Sequence, residues 1–217
     1  LEYKLIPDRP ERDDYKSIYL RNGSNQWLTF QFKDAMECKM MANKTNNYYS
    51  ACTPVIVFIN ASYFGVYEMR EKLNDDYFKH NYKATIDSSF HLLSLSYYYN
   101  SILRALNGSV DTFTTDYNRF LKLNPSTTNY LTEADKILDL DYYTDYIAAQ
   151  TWIADTDWPF NNIKIVKGDF TNHRWRFILQ DLEWSLNPNG WTNSGFDHIN
   201  YMINYSEGVP YLRFWKE

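Results

Sequence analysis

From Ala154 to Leu186 the chain reads ADTDWPFNNIKIVKGDFTNHRWRFILQDLEWSL, and this run constrains the fold more than any other. A helical pattern gives way to a polar turn, Asp155 to Asn162. Two apolar strand patterns follow, Ile163 to Lys167 and Arg174 to Gln180, and the second delivers Asp181 at its end. Two strands this close in sequence form a hairpin. The segment before the turn, DLDYYTDYIAAQTWI (Asp139 to Ile153), is the clearest amphipathic helix in the chain. Leu140, Tyr143, Tyr146, Ile147 and Ile153 line one side of it, and Ala148-Ala149 permits close packing.

The rest of the chain supplies a second group of elements. Tyr15 to Arg21 alternates as a strand and ends at the turn Asn22-Gly23-Ser24; Thr29 to Asn43 has the period of a helix. Pro54 to Asn60 (PVIVFIN) is a near-continuous run rich in β-branched residues, expected as a strand buried on both faces. Tyr63 to Met69 returns as its antiparallel partner, with Gly65 marking a close backbone approach. A short helix is expected near Asp75 to Tyr82. From Ser88 to Asn100 the apolar residues are too dense to separate helix from strand. Val110 to Leu123 reads as a helix broken by Asn124-Pro125-Ser126, Asn187 to Gly195 as a loop, and Pro210 to Glu217 as the start of another helix. The pattern is α+β: a sheet-bearing part over residues 1–85 and a mainly helical part over 86–217.

Composition narrows the function classes. With 18% aromatic residues the chain is a folded, aromatic-rich globule rather than a disordered one. A net charge of −5 argues against nucleic acid or an anionic membrane as partner. No continuous apolar run reaches the length of a membrane span. Cys38 and Cys52 allow one disulfide or two buried thiols. Sequons at Asn22, Asn43, Asn60, Asn107 and Asn204 lean toward an extracellular or cell-surface location. With no initiator Met and an abrupt final WKE, the chain reads as an excerpt of a longer protein.

The chemistry-bearing residues gather around the late hairpin. Asp157 and Asn162 have the D-x-x-x-x-N spacing of the protein-kinase catalytic loop, in which the Asp accepts the substrate proton and the Asn holds a metal. Pro159 stiffens the turn and Trp158 anchors it, as a loop presenting a fixed carboxylate requires. Asn162 opens a strand, where its propensity is poor, so a ligand or clamp role suits it better. Asp181 and Glu183, two residues apart, project to one side if the strand continues. Carboxylate and amide oxygens suit Mg²⁺ or Mn²⁺ on phosphates. The blander alternatives are a turn residue for Asp157 and a helix N-cap for Asp181. The four histidines have no zinc spacing, and no nucleophile elbow, Walker loop or G-x-G-x-x-G occurs.

Several segments together resemble the CotH (spore-coat protein H) kinase-like family. LRNGSNQW (Leu20 to Trp27) with FKDAM (Phe32 to Met36) is similar to its R-N-G-G-N-D-W … R-D-A segment. PVIVFINASYFGVYEMREKLNDDYF (Pro54 to Phe78) is similar to its P-V-V-x-x-N-G-x-Y-x-G-x-Y-x-x-x-E motif. DTDWPFNN (Asp155 to Asn162) and WRFILQDLEWSL (Trp175 to Leu186) are similar to its D-W-x-x-N-N and W-x-x-x-x-D-x-D segments. The stretch from about Ser88 to Glu133 does not align with these motifs.

The resemblance implies a two-lobed, protein-kinase-like fold, incomplete at both ends, that transfers phosphate from ATP to protein hydroxyls. It gives Asp157 the catalytic acid role and makes Asn162, Asp181 and Glu183 ligands of Mg²⁺ or Mn²⁺. Glu71 falls among nucleotide-binding residues near the inter-lobe connection. Thr29 to Asn43 becomes the regulatory-type helix, and Asp155, Trp158 and Asn161 hold the loop. Departures are Glu183 for the second Asp, Gln26 for Asp, Ser24 for Gly, Lys33 for Arg, and Ala61-Ser62. The family's upstream Gly turn and phosphate-contacting lysine have no match here, since Lys4 and Lys16 lack that context, so weak ATP binding is expected. The alternatives are an inactive kinase-like surface-binding or adhesion domain, and a metal-dependent phosphoesterase, which lacks the usual His ligands.

Overall fold

A computed structural model describes residues 3–96, 102–186, 193 and 195–204. The first elements are β1 (Ile18–Arg21), α1 (Lys33–Ala42), β2 (Tyr48–Tyr49), β3 (Cys52–Ile59), β4 (Ser62–Glu71) and α2 (Asp75–Tyr82). β1, β4 and β3 form a three-stranded antiparallel sheet in that order. The β3–β4 hairpin turns at Asn60-Ala61, both with positive φ (50° and 64°), which matches the right-handed strand twist. α2 keeps its expected bounds, with Asn74 Oδ1 accepting from the Tyr77 N–H as N-cap. α1 starts later than the periodicity suggests, because Ser24–Gln26 winds into a short 3₁₀ turn and further turns follow. Gly23 makes that approach possible: it has φ 93°, and a Cβ there would lie 2.6 Å from the Gln31 carbonyl oxygen.

Two expectations for the first sheet do not hold. β3 is an edge strand, and Ile56 and Phe58 are more than 60% exposed, so a β-branched run here does not signal double burial. Gly65 marks no close approach, since a Cβ would meet only the Tyr67 ring at 3.5 Å. Its φ of 130°, beside a register shift at Val57/Phe58, makes it a bulge residue instead.

The second sheet has five strands in the order β2-β8-β7-β5-β6, with β5 (His91–Ser96), β6 (Ile102–Asn107), β7 (Ile163–Lys167) and β8 (Arg176–Leu179). β2 runs parallel to β8, and the other pairs are antiparallel. The ambiguous stretch around Ser88 thus contains a strand. Alternation sends Leu93, Leu95, Ile163, Ile165, Phe177 and Leu179 into one core with Trp158, Trp175 and Tyr146. Leu92, Val166 and Ile178 enter a second core with Tyr77, Phe78 and Phe90. Each fully buried large apolar side chain contributes about 1.5–3 kcal/mol, so the two-sided sheet is the main source of stability.

α3 (Val110–Phe120), α4 (Tyr130–Asp135), α5 (Leu140–Ile153) and α6 (His198–Asn204) complete the described elements. Residues from 86 onward therefore supply four strands beside four helices, where the sequence reads as mainly helical. β2 also reaches into the second sheet from the earlier part of the chain. The fold is mixed α+β. The helix expected at Pro210 to Glu217 and most of the loop at Asn187 to Gly195 lie outside the described residues.

Candidate functional site

α5 ends at Ile153, and its C-cap Ala154, with a φ of 53°, turns the chain sharply toward the hairpin. The next residues are tied down on all sides. Asp155 is buried; its Oδ1 accepts from the Asp157 N–H (3.2 Å), and its carbonyl meets His198 Nε2 (2.7 Å). Thr156 donates its N–H and Oγ1 to the Trp184 carbonyl at 3.1 and 2.8 Å. Trp158 is fully buried, with the Tyr146 and His198 rings each 6.0 Å away.

The turn presents Asp157. Its Oδ2 accepts from Asn161 Nδ2 at 3.0 Å and Asn162 Nδ2 at 3.1 Å. Asn162 (φ 55°) also points Nδ2 at the Asp181 carbonyl, 3.5 Å away, and Gln180 Nε2 donates to the Asn162 carbonyl at 2.9 Å. Asp157, Asn161, Asn162 and Asp181 are thus brought together. Burial raises the Asp157 pKa, the Asp181 charge adds to that rise, and the Asn161 hydrogen bond opposes it. Burial holds the Asp155 carboxyl well above the usual range, with Asp157 adding to the effect.

Asp181 and Glu183 do not share a strand face as expected. β8 stops at Leu179 and Asp181 takes φ 55°, so the chain bends before either residue. They meet instead on Arg21 of β1, whose Nη2 pairs with Asp181 Oδ1 and with Glu183 Oε2 at 3.1 Å. Asn25 Nδ2 donates to the other Glu183 oxygen at 2.9 Å, and Glu183 is buried.

Asp34, in the first turn of α1, lies behind this cluster. Its Oδ2 is 2.5 Å from Arg70 Nη1 and 3.6 Å from Arg21 Nη1, while its Oδ1 accepts from the Leu182 N–H at 2.7 Å. Burial alone would raise its pKa, but the charges of Arg70 and Arg21 and the Leu182 N–H outweigh it and hold the carboxyl low. Lys33 Nζ donates to the Glu183 carbonyl at 3.0 Å and to the Ser185 carbonyl. Sequence reasoning assigned no role to Arg21, Asp34, Lys33 or Arg70. The available signal was a cation and an acid inside the RNGSNQW and FKDAM segments.

Glu71 stands outside this cluster, in a network of its own. Its carboxylate accepts from Arg9 Nε (3.0 Å), Arg12 Nη1 (2.9 Å), Asn81 Nδ2 (2.7 Å) and the Ala51 N–H (3.1 Å). This clamp joins the start of the chain to β4 and α2. Between the two sheets opens a cleft of about 490 Å³, lined by Tyr19, Arg21, Glu71, Leu73, Lys164 and Asp181 among others. Burial lowers the Lys164 pKa to about 8, against the pull of Asp181. Both cysteines are free thiols.

Among the described residues no three His, Cys, Asp or Glu side chains group to hold a metal ion, and no helix is long and apolar enough to cross a membrane. A family model described as "CotH kinase protein" matches residues 11–213, nearly the whole chain. No curated protein matches the sequence.

Proposed function

The chain belongs to the CotH kinase protein family, and on that premise we propose that it transfers the terminal phosphoryl group of ATP to hydroxyl groups of a protein acceptor. The observation that carries this reading is the convergence of Asp157, Asn162 and Asp181 from a turn and a strand end. Asp157 is the base: one oxygen is fixed by two amides, and the carboxylate accepts the acceptor's hydroxyl proton. Its raised pKa makes it a stronger base when ionised, and the Asn161 hydrogen bond limits the rise.

The donor set fits a hard divalent cation. Asn162 and Asp181 would be its oxygen ligands, and Asp181 Oδ2 has no hydrogen bond among the described residues. The mutual repulsion of Asp157 and Asp181 favours a cation there. Mg²⁺ or Mn²⁺ held by Asn162 and Asp181 would neutralise charge on the phosphate oxygens. Glu183, with both oxygens hydrogen-bonded to Arg21 and Asn25, acts in this proposal by positioning Arg21. Glu71 shapes the nucleotide end of the cleft through its clamp with Arg9 and Arg12.

Transfer of labelled phosphate from ATP to a protein acceptor in Mg²⁺ or Mn²⁺ tests the reading. Asp157→Asn is expected to reduce kcat by about 10²–10⁴-fold, and Asp181→Ala to abolish metal-dependent transfer. Unchanged transfer in both variants would refute the assignment. The Arg21–Asp181 pair favours a second reading, a non-catalytic surface-binding domain, because it already supplies a counter-charge to the key acid. Metal-dependent turnover by the native chain eliminates it. The sequon at Asn60, exposed at the β3–β4 hairpin tip, is consistent with a cell-surface setting for either reading.

A further inference from the structure

Lys164 stands in an unusual place for a lysine. It lies on β7, the central strand of the five-stranded sheet, opposite Ile178 of β8 and Ser94 of β5. Lysine is depleted in strands, and where it serves to block aggregation it does so on edge strands, which β7 is not. Alternation puts it on the same face as Val166 and next to Ile178, both in the second core, while its own end of the strand opens into the cleft.

Its pairing is equally unusual. Lys167, the other lysine of β7, is 2.6 Å from Asp116 Oδ2 and 5.5 Å from the centre of the Trp175 ring. Arg21 and Arg70, the arginines lining the cleft, are bound to Asp34, Asp181, Glu183 and Glu68. Lys164, half-buried, makes neither a hydrogen bond nor an ion pair among the described residues. A half-buried ammonium with neither a hydrogen bond nor an ion pair of its own is costly to keep in a sheet. It is retained at low cost only where a ligand supplies the charge.

We infer that Lys164 is the anion contact of the cleft, with its Nζ recognising the phosphate groups of a polyphosphate ligand beside Asp181. The inference rests on the phosphotransferase reading for the identity of that ligand. It gives the chain a phosphate-contacting cation of its own on the C-terminal hairpin, where the sequence offered no lysine in the expected upstream context. The role is positioning: Lys164 orients phosphate without taking part in proton transfer.

Binding of ATP, adenosine and inorganic tripolyphosphate, measured by calorimetry without divalent cation, tests it in the native chain, Lys164→Met and Lys164→Arg. Methionine keeps the stem and removes the charge, and arginine keeps the charge. Lys164→Met should weaken ATP and tripolyphosphate by about 10-fold or more, the range of one charge-assisted hydrogen bond. Adenosine affinity should be unchanged, and Lys164→Arg should retain tripolyphosphate binding. Thermal melts accompany each variant, and Lys164→Met is expected to melt no lower than the native chain.

An equal loss for adenosine and ATP, or unchanged ATP and tripolyphosphate affinity in Lys164→Met, would overturn the inference, as would a native chain that binds none of the three. Tripolyphosphate binding that depends on Lys164, in a chain that transfers no phosphate, would keep the anion site and sink the kinase reading alone. Transfer by the native chain with unaltered nucleotide affinity in Lys164→Met would do the reverse.

Discussion

Asp34→Ala probes the charge network that joins the first sheet to the candidate site. The native carboxylate contacts Arg70 at 2.5 Å, Arg21 at 3.6 Å and the Leu182 N–H at 2.7 Å. Removing one partner of a buried pair costs about 3–5 kcal/mol when the other charge is left alone. Here neither arginine is left alone: Arg70 keeps Glu68 at 2.6 Å, and Arg21 keeps Asp181 and Glu183. The groups fully orphaned are the Leu182 N–H, at about 1–3 kcal/mol, and the weakly donating Cys38 thiol, whose Sγ lies 3.3 Å from the same carboxylate oxygen. The expected loss is therefore near the low end, about 3 kcal/mol, or roughly 6–12 °C in Tm for a chain of this size.

Asp34→Asn retains an oxygen for Leu182 and should lose less, about 2 kcal/mol. Because the folded-state pKa of Asp34 is depressed, its contribution is present above the ordinary carboxylate pKa and is lost as pH falls through the folded value. Native stability should therefore fall more steeply than that of Asp34→Asn below about pH 4. Urea denaturation followed by tryptophan fluorescence at several pH values gives both quantities, with equal m-values required for the comparison. An Asp34→Ala chain melting within about 2 °C of native would show that the cluster contributes nothing to stability.

Glu37 should act with the opposite sign. It is fully buried, and burial lifts its pKa to about 8 against the pull of Ser185 and Lys33, so native stability should fall as pH rises from about 4.5 toward 8. Glu37→Gln should flatten that slope by a few kcal/mol in the same urea series; an unchanged slope would assign the pH dependence to other groups. Burial raises both thiols, Cys52 to about 11 and Cys38 well above the usual value. At pH 8 only about one Cys52 in a thousand is thiolate, so maleimide labelling should be slow until urea unfolds the chain, and rapid native labelling would contradict the burial. Phe58→Ser should change stability by no more than about 0.5 kcal/mol, whereas Trp158→Ala should cost about 3–5 kcal/mol; comparable losses would mean that β3 is covered.

The sequence by itself determined the local elements. The 3.6-residue period from Asp139 to Ile153 produced α5, with Asp139 as its N-cap. The apolar run Ile163 to Lys167 became β7, and the polar turn between them set Asp157 and Asn162 at contact distance. These features depend on backbone propensity and on neighbours a few residues away, both written in consecutive residues. Tertiary structure decided the rest. Whether a β-branched run is central or on an edge depends on which strands flank it, so PVIVFIN could not declare its own exposure. The stretch around Ser88 became a strand because β7 and β6 offered it two hydrogen-bonding edges. Asp181 finds Arg21 across 160 positions of sequence, and Glu183 finds it across 162. Charge pairing of this kind follows from distance in space, and distance in space is fixed only when the two sheets pack.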